Sequence, residues 1–158
     1  MKHRIYYTNP INDFFIGELI SIINQAMHQQ PLENKASEIE IHFSSRGGDL
    51  HAGFTAYNFL RSLPIPLHIH NIGSVESIAV ILYLAADKRT ACEDSRFMLH
   101  NLSWVYDNGS YTHNTIIEHS SSLDADKERY LKIFEERTNT AQAPVNVQEA
   151  LVGSSKDN

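Results

Sequence analysis

A single cysteine, Cys92, occurs in 158 residues, so no disulfide can form within the chain and a reducing compartment suits it. Long apolar runs are also missing. The longest, residues 78–86, contains Tyr83 and falls far short of the roughly 20 residues needed to span a bilayer. The opening Met1-Lys2-His3-Arg4 leads into Ile5-Tyr6-Tyr7 and Pro10 without the apolar stretch of a secretion signal. A cytoplasmic location is therefore expected, with no membrane partner. Basic charge is scarce too: 13 Lys and Arg stand against 19 Asp and Glu, for a formal net charge of −6. With no basic stripe, nucleic acid is not an expected partner. The 42% hydrophobic content is enough for one real core, and the length leaves little room for a second.

The periodicities that are present alternate between strand and helix, which predicts a single α/β domain. Residues 4–8 read as a short strand ending at Asn9-Pro10. Asn12 or Asp13 can cap a helix whose apolar positions, from Phe15 and Ile16 to Ala26 and Met27, keep helical spacing up to Pro31. Residues 38–44 alternate Ile39, Ile41 and Phe43 with Glu40 and His42, a strand running into Gly47-Gly48. Ala52, Ala56, Phe59, Leu60 and Leu63 then recur at helical spacing until Pro64. Residues 67–72 read as the next strand, Gly73 as the next turn and 77–86 as the next helix. Right-handed crossovers would set both glycine turns at one edge of one sheet. Residues 89–92 and 96–99 read as further short strands, 101–109 as a loop, and 112–137 as a long, highly charged helix of the kind that joins subunits.

Three segments carry chemistry. Ser77 lies in Gly73-Ser74-Val75-Glu76-Ser77-Ile78-Ala79, His100 ends Phe97-Met98-Leu99-His100, and Gly48 lies in Ser44-Ser45-Arg46-Gly47-Gly48-Asp49. A hydroxyl on a turn, an imidazole to take its proton and flexible backbone whose N–H groups can face an oxyanion are what acyl transfer needs. Alone, Ser77 would read as a helix N-cap, His100 as a structural histidine and Gly47-Gly48 as a plain turn. Together they point to a serine hydrolase. Gly-x-x-x-x-Gly-Lys is absent, so the glycines do not read as a phosphate cradle. His68 and His70 share one strand face, but no further ligands are identifiable, so packing and solvent are the better reading and no metal or other cofactor is expected.

The run Ile39-Glu40-Ile41-His42-Phe43-Ser44-Ser45-Arg46-Gly47-Gly48, then Ala52-Gly53, Tyr57, Gly73 to Ala79, Lys88-Arg89 and Phe97 to His100, resembles the proteolytic subunit of the Clp protease family (ClpP). Gly-x-Val-acid-Ser looks like the short ClpP-like proteins with an acidic residue before the nucleophile. The resemblance implies a crotonase-like spiral of ββα units with a projecting handle helix. It divides one domain over 1–158 into a head (1–111), a handle helix (about 112–137) and a C-terminal helix and tail (138–158).

Carried over, the resemblance makes Ser77 the nucleophile, His100 the general base, and the backbone N–H groups of Gly48 and Ile78 the oxyanion hole. Asp157, after an implied helix over 148–152, is its match for the third triad member. It implies a serine endopeptidase acting on peptides or unfolded proteins inside stacked homo-oligomeric rings. An ATP-driven unfoldase is the further implied partner, although the first strand opens the chain without the family's pore-lining segment. Arg46 stands where the family has proline and Glu76 where it has a small residue. The chain stops just after Asp157, before the family's closing strand and helix, so ordering of that aspartate, and with it activity, is expected to be weak. A catalytically weak or inactive ClpP-like scaffold or partner subunit is the alternative. A crotonase-type acyl-CoA enzyme is disfavoured by the short chain and by the Ser77 and His100 pairing.

Overall fold

Alternate burial along the first two strands and one-sided burial along the first two helices set the frame of this computed structural model, which describes residues 1–28, 31, 34–100, 102–103 and 110–138. Strand β1 (Lys2–Tyr7) buries Ile5 and Tyr7 and leaves Arg4 and Tyr6 exposed. Helix α1 (Asp13–His28) begins where Asn12 Oδ1 accepts the Phe15 N–H at 3.0 Å, and buries Ile16, Leu19, Ile23, Ala26 and Met27. Strand β2 (Glu38–Ser45) leads into α2 (Leu50–Arg61), capped by Asp49, whose Oδ1 accepts the Ala52 N–H at 2.8 Å. Then follow β3 (Leu67–Glu76), α3 (Ala79–Leu84), β4 (Lys88–Ala91) and β5 (Arg96–Met98).

The sheet is wholly parallel in the order β1-β2-β3-β4, with β5 also on β3. Sequential order with right-handed crossovers sets α1, α2 and α3 on one face, and α1 packs on α2 and α2 on α3. The core lies between, with Ile39, Ile41, Phe43, Leu67, Ile69 and Val75 from the sheet all nearly inaccessible. The opposite face is polar. There Glu40 is buried beneath Lys2 (2.9 Å), Arg4 (3.5 Å) and His42 (2.9 Å). His68 Nε2 and His70 Nδ1 each lie 2.7 Å from the Thr90 hydroxyl.

Two expected boundaries are corrected. Gly73 is no turn: β3 continues through it to Glu76. A Cβ at Gly73 would lie 2.9 Å from Ser44 Oγ, which donates to the Ser74 carbonyl and accepts the Ser74 N–H. The glycine admits that close approach beside an irregularity in the β2–β3 register between Phe43 and Ser45. The extra length lets β3 carry β4 along residues 68–71 and β5 along 74–76 of one edge. The following helix is correspondingly shorter than 77–86, with Ile78 at its N-cap.

Met1–Met98 forms one compact unit and Leu99–Asn158 another. In the second, α4 (His113–Arg137) starts where Thr112 Oγ1 accepts the Thr115 N–H at 3.2 Å, matching the long helix expected there. Its C-terminal half buries Tyr130 and Ile133, and its N-terminal half exposes Ile116 and Ile117. The expected C-terminal helix and tail, and most of the expected 101–109 loop, lie outside the described residues.

Candidate active site

Ser77 has φ +56°, the only non-glycine among the described residues with positive φ. A left-handed conformation costs an L-residue about 1–2 kcal/mol, so the surroundings must impose it. The Ser77 N–H donates to the Met98 carbonyl at the end of β5 (2.9 Å), and its carbonyl accepts the Val80 N–H (3.0 Å) as α3 begins. Ile78, fully buried, fixes the next residue. A Cβ on Gly53 would collide with Cγ1 of Ile78, so α2 lies directly against the turn at its one glycine. Ser77 itself is half-buried and hence reachable.

The paired glycines at the end of β2 sit against this serine. Gly47 has φ +89° and Gly48 φ +150°. A Cβ at Gly47 would lie 2.8 Å from Ser77 Cβ and 3.4 Å from Ser77 Oγ, so only glycine permits this apposition. Ile11 holds the turn from the other side: its N–H donates to the Gly47 carbonyl (2.9 Å) and its carbonyl accepts the Asp49 N–H (2.8 Å). Gly48, exposed, uses neither its N–H nor its carbonyl in that bridge. The convergence expected of two glycine turns is thus made by Gly47-Gly48 and by Ser77, the residue expected to open a helix.

Glu76, to which the sequence assigns no role, is 4% exposed and lies 2.6 Å from Arg96 Nη2. Arg96 Nε also donates to Ser74 Oγ at 2.9 Å, so the guanidinium clamps β5 to β3 immediately before Ser77. Asn71, fully buried where β4 gives way to β5, donates to the Arg96 carbonyl at 3.1 Å and accepts the Gly73 N–H at 2.9 Å. Arg96, Asn71 and Gly53 support the site without being expected to from sequence. Gly53 stands in a recognisable motif, but nothing local to Arg96 or Asn71 signals its partner.

His100 is exposed and follows β5 by two residues, at the start of the second unit. Asp157 lies outside the described residues. Among the described residues no cluster of His, Cys, Asp or Glu could hold a metal, and no helix is long and apolar enough to cross a membrane.

The family model for Clp protease matches residues 1–150. The chain belongs to the Clp protease family. It is 30% identical over 127 residues to the ATP-dependent Clp protease proteolytic subunit 2 of Treponema denticola, an alignment covering 78% of this chain and 61% of that protein. With the corresponding subunit of Deinococcus radiodurans it shares 31% identity over 103 residues, covering 63% of this chain and 48% of that protein. This chain thus spans about half to three-fifths of these relatives' length. Among solved structures, a ClpP1 point mutant from Listeria monocytogenes matches with a TM-score of 0.68 at 19% identity, covering 89% of this chain and 73% of that one. The fold is accordingly the α/β, crotonase-like fold of ClpP.

Proposed function

We propose that this chain is a serine endopeptidase of the Clp type, working in the cytoplasm as one domain over 1–158. In this reading Ser77 Oγ attacks the peptide carbonyl carbon while its proton passes to His100. The oxyanion is received by the N–H groups of Gly48 and Ile78. The scissile C–N bond breaks as His100 returns the proton to the leaving amine, and water then hydrolyses the acyl-enzyme. Asp157 would fix the tautomer and orientation of His100.

One observation carries the reading: a half-buried serine at the end of a parallel strand is held at φ +56° against a glycine turn. A plain N-cap serine has no need of that conformation, whereas a nucleophile on a sharp strand-to-helix turn does. Family membership supports a peptide substrate and the role given to His100. The same membership, with the exposed Ile116 and Ile117 of α4, supports homo-oligomeric rings joined through that helix. The names of the relatives support an ATP-dependent partner.

Labelling with a fluorophosphonate, read by peptide mass spectrometry, tests the reading. The expected adduct is on Ser77, absent in Ser77→Ala and slowed at least about 100-fold in His100→Ala. A native chain that takes no label is the scaffold or partner subunit of the alternative reading.

A further inference from the structure

Beside the paired glycines lies a cavity of about 400 Å³ at the C-terminal ends of β1, β2 and β3. Among the described lining residues Arg46 alone is charged; Asn9, Ser44, Ser45 and Ser74 are among the others. The serine hydroxyls of β2 already have partners. Ser44 Oγ bonds the backbone of Ser74, and Ser45 Oγ accepts the Gly47 N–H at 3.2 Å. Arg46 differs. Its side chain makes no ion pair among the described residues, and the residue is exposed.

From this geometry we infer that Arg46 selects substrates bearing a carboxylate near the scissile bond. The inference deepens the peptidase reading and rests on it for the word substrate. Arg46 immediately precedes Gly47, whose Cβ position would be 2.8 Å from Ser77 Cβ, so a peptide presenting its carbonyl to Ser77 passes within an arginine's reach. A guanidinium presents a planar fork of donors that matches a carboxylate with two parallel bonds. Among the described lining residues there are hydroxyls and an amide but no acid to neutralise it. With a net charge of −6, the protein as a whole repels acidic peptides, so any preference for them has to be local. The carboxylate can come from a Glu or Asp side chain or from the end of a peptide chain.

Binding without turnover separates these cases. Fluorescent peptides with amidated C-termini, carrying Glu or Gln at each of the positions flanking the scissile bond, are titrated by anisotropy against Ser77→Ala protein. A further Gln peptide with a free C-terminal carboxylate tests the chain end. At one position or at the chain end, the carboxylate is expected to tighten binding about tenfold. Arg46→Gln should erase that gain, Arg46→Lys should keep part of it, and Arg46→Glu should transfer it to a Lys peptide. A carboxylate gain that survives Arg46→Gln, or no gain at any position, overturns the inference. Thermal melts of the exposed-site variants confirm that they fold. Because these titrations need no chemistry, they stand apart from the labelling of Ser77, whose failure would count against the peptidase reading alone.

Discussion

The Glu76 carboxylate, buried one residue before Ser77, lies 2.6 Å from the guanidinium of Arg96 on β5. Truncating Arg96 leaves a buried acid without its partner, which in a fully buried pair costs about 3–5 kcal/mol. The Arg96 side chain is 65% exposed, so water recovers part of that, and Arg96→Ala is expected to lose about 1–2 kcal/mol in urea denaturation. The same variant should label more slowly at Ser77, because the Met98 carbonyl that holds the Ser77 N–H sits on the strand Arg96 clamps. Unchanged stability and labelling would reduce the pair to a surface contact.

Gly53 offers a second handle on the same turn. Elsewhere in a helix, alanine gains about 1 kcal/mol over glycine. Here the added methyl collides with Cγ1 of fully buried Ile78, and overpacking a core costs about 1–3 kcal/mol. Gly53→Ala should therefore be a net loss of stability, accompanied by slower labelling of Ser77. Combined with Ile78→Ala, which removes the obstructing atoms, it should cost less than the sum of the two single changes. Strict additivity would mean that the two residues are not in contact.

Much of this framework is legible in sequence because it rests on periodicity. The stripe from Ile16 to Met27 and the alternation through Ile39, Ile41 and Phe43 each report one buried face. The end of β3 is not legible. Gly73 carries the ordinary signal of a turn, but it serves the approach of Ser44, and the actual turn is made by a serine at positive φ, which composition does not announce. Motif spacing picks out Ser77 and the paired glycines, yet their apposition depends on the parallel pairing of β2 with β3. The supports from Arg96 and Asn71 lie on or against strands paired across the sheet, a relationship no local pattern encodes.

The polar face of the sheet makes stability depend on pH. Hydrogen bonds from Lys2 and His42 hold the Glu40 carboxyl down at about 2, from an ordinary 4.5. A carboxyl that titrates lower in the folded chain than in the unfolded one stabilises fully above the ordinary value and loses that contribution as pH falls toward the folded one. Glu40→Gln should thus be less stable than the native chain at neutral pH. The gap should narrow below 4.5 and close near 2. Urea midpoints across that range check it, and a gap independent of pH would assign the loss to packing.

Ile116 and Ile117 on α4 are 58% and 51% exposed, with Tyr111 nearby in sequence at 39%. If α4 joins subunits as proposed, these side chains are covered in the assembly, each gaining about 1.5–3 kcal/mol from burial. Replacing both with lysine should lower the mass seen by light scattering at micromolar concentration. Far-UV circular dichroism should not change, because exposed helix positions tolerate substitution within about 0.5 kcal/mol. An assembly that survives the double substitution is held by another surface.

The strained backbone at Ser77 predicts an unusual order of stabilities. Ser77→Ala and Ser77→Gly both remove the proposed nucleophile and should abolish labelling. Alanine must keep φ +56° at a cost of about 1–2 kcal/mol, whereas glycine adopts that region freely. Glycine in turn gives the unfolded chain extra freedom, worth about 0.5–1 kcal/mol against it. Relief of strain outweighs that added freedom, so Ser77→Gly should be more stable than Ser77→Ala by about 0.5–1 kcal/mol, the reverse of the order usual at sites with negative φ. Thermal or urea melts of the two variants decide it. If alanine is the more stable, the turn relaxes when the hydroxyl is lost, and the strain belongs to the serine side chain's own interactions and not to the scaffold that β5, Gly47 and Ile78 build around it.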